Sequence, residues 1–554
     1  MDVRLGLTSL IIGGGLHVIF FRHGEWHLWA LKFRFTHLIL GFLLLVFVVH
    51  SVHLQSEWLQ SASIASRLVA SLVLGILSSM IAYRAFFHRL TRHGFSGPFI
   101  ARLSQIYQTI LASKKLRLCD EVEVLHKKYG DFVRIGPEEI SIADPKAMVA
   151  IHGTNSKPGS CTKGPWYDMM YPKVNMQGTR DRQLYSQRRK LWDKAFSSKA
   201  LRGYESRVNS YSTQLLKGIR DSDARPLNVT QWFGFWGFDI MDDMAFGQSF
   251  RLMARNEEDY YYKTTARFLP MLSVFSPTPC LFPFLKRIPI LNRESNEFDE
   301  FEDALFWKRL CSEPQEPDVF QWIASEYREN PTPSQQDTTN MKADVGLIVV
   351  AGSETTRLTL ATLFYNLVCH PHVYRKLQDE VDSLMRHQGA TEAGTVENAD
   401  LAKLEYLQAC IDESLRFINP NPSGLQRQTP PEGLWVGDRW IPGNINLRTA
   451  NNLIMRDPRA FVLPDEFIPE RWTTRRDELV IDASVHVPFS TGRFSCPGKQ
   501  LALMNLRRAT ALICHQYDVA FGPGQRPEDF TAGLLDHFTL GVPKLDLVFT
   551  PRKV

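Results

Sequence analysis

The spacing of apolar and polar residues divides the chain into an apolar N-terminal part and a long, mixed remainder. Three apolar stretches lie near the N-terminus, at residues 5–21, 35–52 and 64–87. The second, with LILGFLLLVFVV inside it, best fits a span of about 20 residues. The first is short and the third carries Arg67 and several serines, so one to three spans are expected. Arg22, Lys32 and Arg34 lie between the first two stretches, and Arg84, Arg89 and Arg92 close the third. No Lys or Arg lies between Leu54 and Ser63. Under the positive-inside rule this pattern fits three spans, with the first loop and everything after Phe87 on the cytosolic side. A cleaved signal peptide fits less well, because the basic loop and the stronger apolar segment follow the first stretch.

The Gly/Pro hinge in HGFSGPFIARLSQIYQ marks a boundary near residue 94, giving a membrane anchor over 1–93 and a second domain over 94–554. Residues 132–148 read as a β-hairpin around Gly-Pro, and 154–183 as a loop. A basic helix is expected over 184–196. Helices dominate from residue 300, with a polar loop at 330–340 and a long helix over about 341–369, stopped by His370-Pro371. Another helix runs over about 401–417, stopped by NPNP. GLWVGDRWIPGNINLRTA reads as short strands. The fold class is mostly α with a minor β part, behind N-terminal transmembrane helices.

Composition narrows the function. The 554 residues are 44% apolar and 22% charged, as expected of a folded chain. Net charge is +5, but Lys and Arg form no single tract, so no nucleic acid partner is implied. The 8 cysteines contain no C-x-x-C pair, so neither a zinc site nor a disulfide framework is expected. Asn228-Val229-Thr230 is a glycosylation acceptor only if that part of the chain is lumenal.

One cysteine stands in a closely specified setting, PFSTGRFSCPGKQLALMNLR. Gly492 permits a backbone conformation that a Cβ resists, and Pro497 suits the first turn of a helix. Cys496 therefore falls at a helix N-terminus, where free N–H groups and the dipole favour a thiolate. Such a thiolate can attack a substrate or ligate a metal. A nucleophile needs a His base, and none stands out. A lone Cys cannot build a zinc or iron–sulfur site, whereas haem iron needs only one axial protein ligand.

From Phe489 to Gly498 the stretch reads F-x-x-G-x-x-x-C-x-G, and it resembles the haem-binding loop of the cytochrome P-450 family. The resemblance implies that Cys496 is the axial ligand of haem b, with Phe489 against the thiolate and haem, and with Gly492 and Gly498 letting loop and helix approach. Three further motifs follow the family order. VVAGSETTRLTL is similar to the A-G-x-[DE]-T-[ST] signature of the helix across the distal haem face. It places Ala351 and Gly352 beside the cofactor and makes Glu354 and Thr355 the acid–alcohol pair that supplies protons where dioxygen is activated. Glu413 and Arg416 in DESLRF, with Arg471 in FIPERW, match a buried charge network that holds the fold. In YSQRRKLWDKAFS, Arg189 falls where the family carries a propionate-binding Arg, and Tyr185 where Trp or His is usual. Arg188 is expected on the solvated face. Arg427 matches another propionate position.

The resemblance covers about residue 95 to the C-terminus, with two departures. The hinge reads F-S-G-P where P-P-G-P or similar is usual, and Phe494 stands where Arg is usual. Phe494 cannot pair a propionate, so Arg189 and Arg427 are expected to carry more of that charge.

The resemblance implies a monooxygenase that inserts one atom of dioxygen into an apolar small molecule. No flavin- or NADPH-binding segment is visible after the haem loop, so electrons are expected from a separate NADPH–cytochrome P-450 reductase on the same membrane, the endoplasmic reticulum. Trp166, Met169, Met170, Val350 and Leu425 are the candidate pocket residues. HGEWH, between the first two apolar stretches, is similar to anchors of fungal members of secondary metabolism. Two other readings stay open. One is a haem-thiolate rearrangement enzyme needing no reductase, against which the Glu354–Thr355 pair argues. The other is a non-enzymatic membrane haem sensor, which needs no proton-delivery pair.

Overall fold

The three apolar stretches all become helices, α1 (Asp2–Leu16), α2 (Phe35–Val52) and α3 (Trp58–Ala82). Single π-helical turns, His17–Phe21 and Tyr83–Phe87, extend the first and third. The structure, a computed structural model, describes residues 2–28, 35–52, 57–153, 160–281, 288–312, 316–330, 332–387, 396–537 and 539–553. Lys32 and Arg34 of the first basic loop lie outside the described residues. Arg4–Phe21 and Trp58–Arg92 are long and apolar enough to cross a bilayer, while Leu38–Val52 is a shorter apolar helix. Helices α1 and α3 meet through small residues. A Cβ on Gly13 would lie 2.1 Å from the Leu72 carbonyl oxygen, and one on Gly75 2.0 Å from that of Leu10. Such contact brings backbones together where apolar burial alone cannot drive association.

The hinge explains its own departure from the usual run. Ser96 O accepts the Arg134 N–H at 2.7 Å, and a Cβ on Gly97 would lie 2.2 Å from Arg134 O. The glycine is the position that this close approach requires; its neighbours can vary.

The expected hairpin forms as β1 (Phe132–Gly136) and β2 (Glu139–Ile142), antiparallel across Pro137. With β3 (Thr162–Lys163), β4 (Arg427–Gln428) and β5 (Asn446–Thr449) it builds a sheet of order β1-β2-β5-β4-β3. Strands β3 and β4 are antiparallel and set Lys163 directly opposite Arg427.

The helical body carries α4 (Arg182–Ala195), α5 (Val229–Phe246), α6 (Tyr260–Phe275), α7 (Gln335–Cys369), α8 (Glu405–Phe417) and α9 (Lys499–Gln516). Helix α7 starts earlier than the expected residue 341. Ser334 accepts from the Asp337 N–H while the Asp337 carboxylate accepts from the Ser334 N–H, so part of the polar loop is a capped first turn. Helix α8 starts at Glu405, after a separate short turn at Asn398–Leu401.

Candidate active site

The cysteine loop is closed from within. The Cys496 N–H donates to Phe489 O at 2.9 Å. Gly492 sits at φ +67°, and a Cβ there would lie 2.5 Å from His152 O, so a glycine is required on both counts. Helix α9 begins at Lys499 with Gly498 as N-cap, which leaves Pro497 just ahead of the helix and not in its first turn. Burial pushes the Cys496 thiol up, against the N–H groups of Gly498 and Lys499 and the charges of Arg189 and Lys499. A cation bound at the sulfur would complete that stabilisation.

The sulfur opens onto an internal cavity. Cys496, Pro497 and Gly498 line one side, and Val350, Ala351, Gly352, Glu354 and Thr355 of α7 line the other. Lys163, Tyr185, Arg427, Phe489 and Phe494 face the same space. On α7 the hydroxyls are satisfied by their own helix. Thr355 Oγ1 donates to Ala351 O at 2.7 Å, Thr356 to Gly352 O at 2.7 Å, and Ser353 to Val349 O at 2.6 Å. Glu354, only 4% exposed, accepts from Arg357 Nη2 at 2.5 Å. A Cβ on Gly352 would lie 2.5 Å from Met241 Cε, so the room left by this glycine is filled by α5.

The cations divide differently from the sequence expectation. Arg427 is 1% exposed and faces the cavity. Arg189 is absent from the cavity wall and turns to the cysteine loop. Its Nη1 donates to Ser495 O and to Tyr185 Oη (3.2 Å), and its Nε to Asp193 Oδ1 (2.7 Å). Tyr185 Oη in turn donates to Arg493 O at 3.1 Å. Arg188 is not on a solvated face, because it pairs with Asp344 at 2.6 Å and donates to Val174 O.

Of the expected pocket residues, Val350 and Leu425 line the cavity. Trp166, Met169 and Met170 do not. They pack with Leu272 and Phe268 of α6 in an apolar cluster that Tyr167 and Leu425 join to the cavity wall. A 3₁₀ turn (Pro165–Met170) buries Trp166 and Met169 on that side and turns Tyr167 to the cavity. Lys163 and His152 were not anticipated. A two-residue strand such as β3 leaves no periodic signal in the sequence.

The charge network forms as expected, with additions. Arg416 donates from Nε and Nη2 to the two oxygens of Glu413 at 2.9 and 2.8 Å, and Arg471 Nε to Oε1 at 3.3 Å. Trp472 Nε1 donates to Oε2 at 3.0 Å, a partner that the sequence reading missed. The spare guanidinium donors go to the carbonyls of Met455, Pro464 and Glu466 from Arg416, and of Val462, Leu463 and Leu479 from Arg471.

The HGEWH segment docks beside the site. Arg180 donates from both terminal nitrogens to Glu25 at 2.7 Å, and also to Asp168. His27 Nε2 lies 2.8 Å from Asp168 Oδ2, and Arg180 Nε donates to Lys163 O at 3.2 Å.

Known proteins resemble this chain over most of its length. A family model described as cytochrome P-450 matches residues 98–549. The cytochrome P-450 monooxygenase FCK2 of Fusarium pseudograminearum is 44% identical over 545 residues, covering 98% of this chain and 97% of that protein. The cytochrome P-450 monooxygenase orf5 of Eupenicillium brefeldianum is 40% identical, covering 88% of this chain and 96% of its own. Tryprostatin B 6-hydroxylase of Aspergillus fumigatus is 32% identical, covering 98% and 96%.

Proposed function

The chain belongs to the cytochrome P-450 family and is a monooxygenase, and from that premise we propose that it hydroxylates an apolar small molecule, with haem b on Cys496. The observation that most supports this reading is the cavity itself, which opens on the Cys496 sulfur at one side and on Ala351 and Thr355 at the other. The residues present fit the cofactor. The set comprises a cysteine sulfur open to the cavity and two buried basic side chains, Lys163 and Arg427, the second with an orphaned Nε. When bound, the haem supplies dioxygen activation, with thiolate electron donation favouring O–O cleavage.

The chain's own groups do the rest. Thr355 spends its proton on Ala351 O, which leaves its oxygen free to accept from a water in the cavity. Glu354, paired with Arg357, stands next to it as the carboxylate end of a proton path. Leu347, Ile348, Val350, Met241, Leu269 and Leu425 make an apolar wall that suits an apolar substrate and excludes water. The relative in Aspergillus fumigatus is named for hydroxylating tryprostatin B. We place the substrate of this chain likewise among secondary-metabolite intermediates.

Electrons come from NADPH through a separate flavoprotein reductase. Lys190 and Lys194 are exposed on α4 and suit an acidic partner face. The anchor helices hold the enzyme on the endoplasmic reticulum with the catalytic domain in the cytosol.

The test is NADPH oxidation by the full chain with reductase and candidate substrates. Product carrying one added oxygen is expected, and Lys190→Glu with Lys194→Glu slows the reaction. Thr355→Ala keeps NADPH oxidation but lowers product per NADPH, by about tenfold or more if proton delivery is lost. Turnover without NADPH and reductase would overturn the reading in favour of a rearrangement.

A further inference from the structure

Phe494 stands where the family usually has a cation, and the structure holds another cation against it. Lys163 Nζ lies 5.0 Å from the Phe494 ring centroid, on a cavity-facing side chain only 3% exposed. Arg427 Cζ lies 5.1 Å from the same ring. The two basic residues are directly opposed in the β3–β4 register. Like charges opposed across a strand pair destabilise it, and burying cations without an anion costs several kcal/mol more.

Among the described residues, no carboxylate pairs with either one. Lys163 Nζ donates to Met176 O (3.2 Å) and Gln177 O (2.6 Å), which leaves a third donor. Arg427 Nη1 donates to Tyr167 Oη (2.6 Å) and Gln426 O (3.0 Å), while its Nε has no partner. His152 Nδ1, also on the cavity wall, has none either. Burial and the neighbouring Arg427, Arg188 and Arg189 push the Lys163 ammonium well below the usual lysine range. The carbonyls and the Tyr185 ring, 4.2 Å from Lys163 Nζ, offset only part of this cost, and an anion between Lys163 and Arg427 would offset the rest.

We propose that Lys163 supplies the charge for a haem propionate that Phe494 does not, so that Lys163 and Arg427 hold the carboxylate side of the cofactor. The inference rests on the haem-thiolate reading. Phe494 then has a role of its own, as an aromatic face that keeps two like charges apart while contacting both. It also packs edge-on to Tyr185, with centroids 4.9 Å apart. Arg189, bound to the cysteine loop, acts as a positioning residue.

Haem transfer from the full-length protein to an excess of haem-scavenging apoprotein tests this directly. Lys163→Gln keeps a donor for the Met176 and Gln177 carbonyls but removes the charge. Losing a charge-assisted hydrogen bond speeds haem loss about tenfold or more. Lys163→Met loses haem equally fast, and Lys163→Arg restores retention. Wild-type haem loss from Lys163→Gln, with or without faster loss from Lys163→Met, would overturn the proposal by reducing Lys163 to a strut. The ferrous carbon-monoxide spectrum separates this failure from that of the parent reading. A thiolate-type band in wild type with unchanged transfer in Lys163→Gln overturns only the Lys163 assignment. Its absence from wild type overturns the haem reading and this inference with it.

Discussion

Glu413 shows how a few atoms can fix a large structure. Its carboxylate accepts from Arg416, Arg471, Trp472 and the Ile468 N–H, and both arginines and the glutamate are fully buried. Removing one partner of a buried charge network strands the others, at about 3–5 kcal/mol. Glu413→Gln is therefore expected to lower stability by that amount in denaturant unfolding. A loss below about 1 kcal/mol would show that the carbonyl acceptors alone satisfy the arginines. This network was legible in the sequence because an i, i+3 pair on a helix and a later P-E-R-W run carry it. Lys163 was not, because its meaning lies in the cross-strand partner Arg427, 264 positions away by residue number (427 − 163). Arg189 was legible as a residue but not as a contact, since the Ser495 carbonyl competes for its guanidinium.

Helix boundaries were legible where a stop or cap is chemically loud, as at His370-Pro371 after α7. They were missed where polar residues belong to the helix, as with the Ser334–Asp337 capping box. Short elements were the hardest. The 3₁₀ turn Pro165–Met170 packs Trp166 and Tyr167 in one cluster but brings only Tyr167 to the cavity, and no periodicity foretells which of the two meets it. This turn is also the element that HGEWH grips through Asp168 and Arg180. Arg180→Gln removes the contacts to Glu25 and Asp168 together. Hydrogen exchange over 165–170 should then rise at least several-fold, because local opening free energy falls, while α7 stays protected. Unchanged exchange over 165–170 would show that packing on α6 alone holds the turn.

For the whole molecule, Glu25 and His27 hold the segment after α1 against Arg180 and Asp168. The proposed topology, with the ends of α1 and α3 on one side of the bilayer, requires such proximity. Trp26 packs tilted against Phe20 and edge-on against Phe21 at that end, the kind of aromatic cluster that suits a membrane surface. The fold class and the order of motifs could be read from the chain. The pocket lining could be read only in part, at Val350 and Leu425, because the rest depends on which face of each short element turns inward.

If Cys496 binds haem iron as a thiolate, the ferrous carbon-monoxide spectrum of the purified full chain carries a thiolate-type Soret band in wild type and loses it in Cys496→Ala. No such band in intact protein, or its survival in Cys496→Ala, would contradict that ligation.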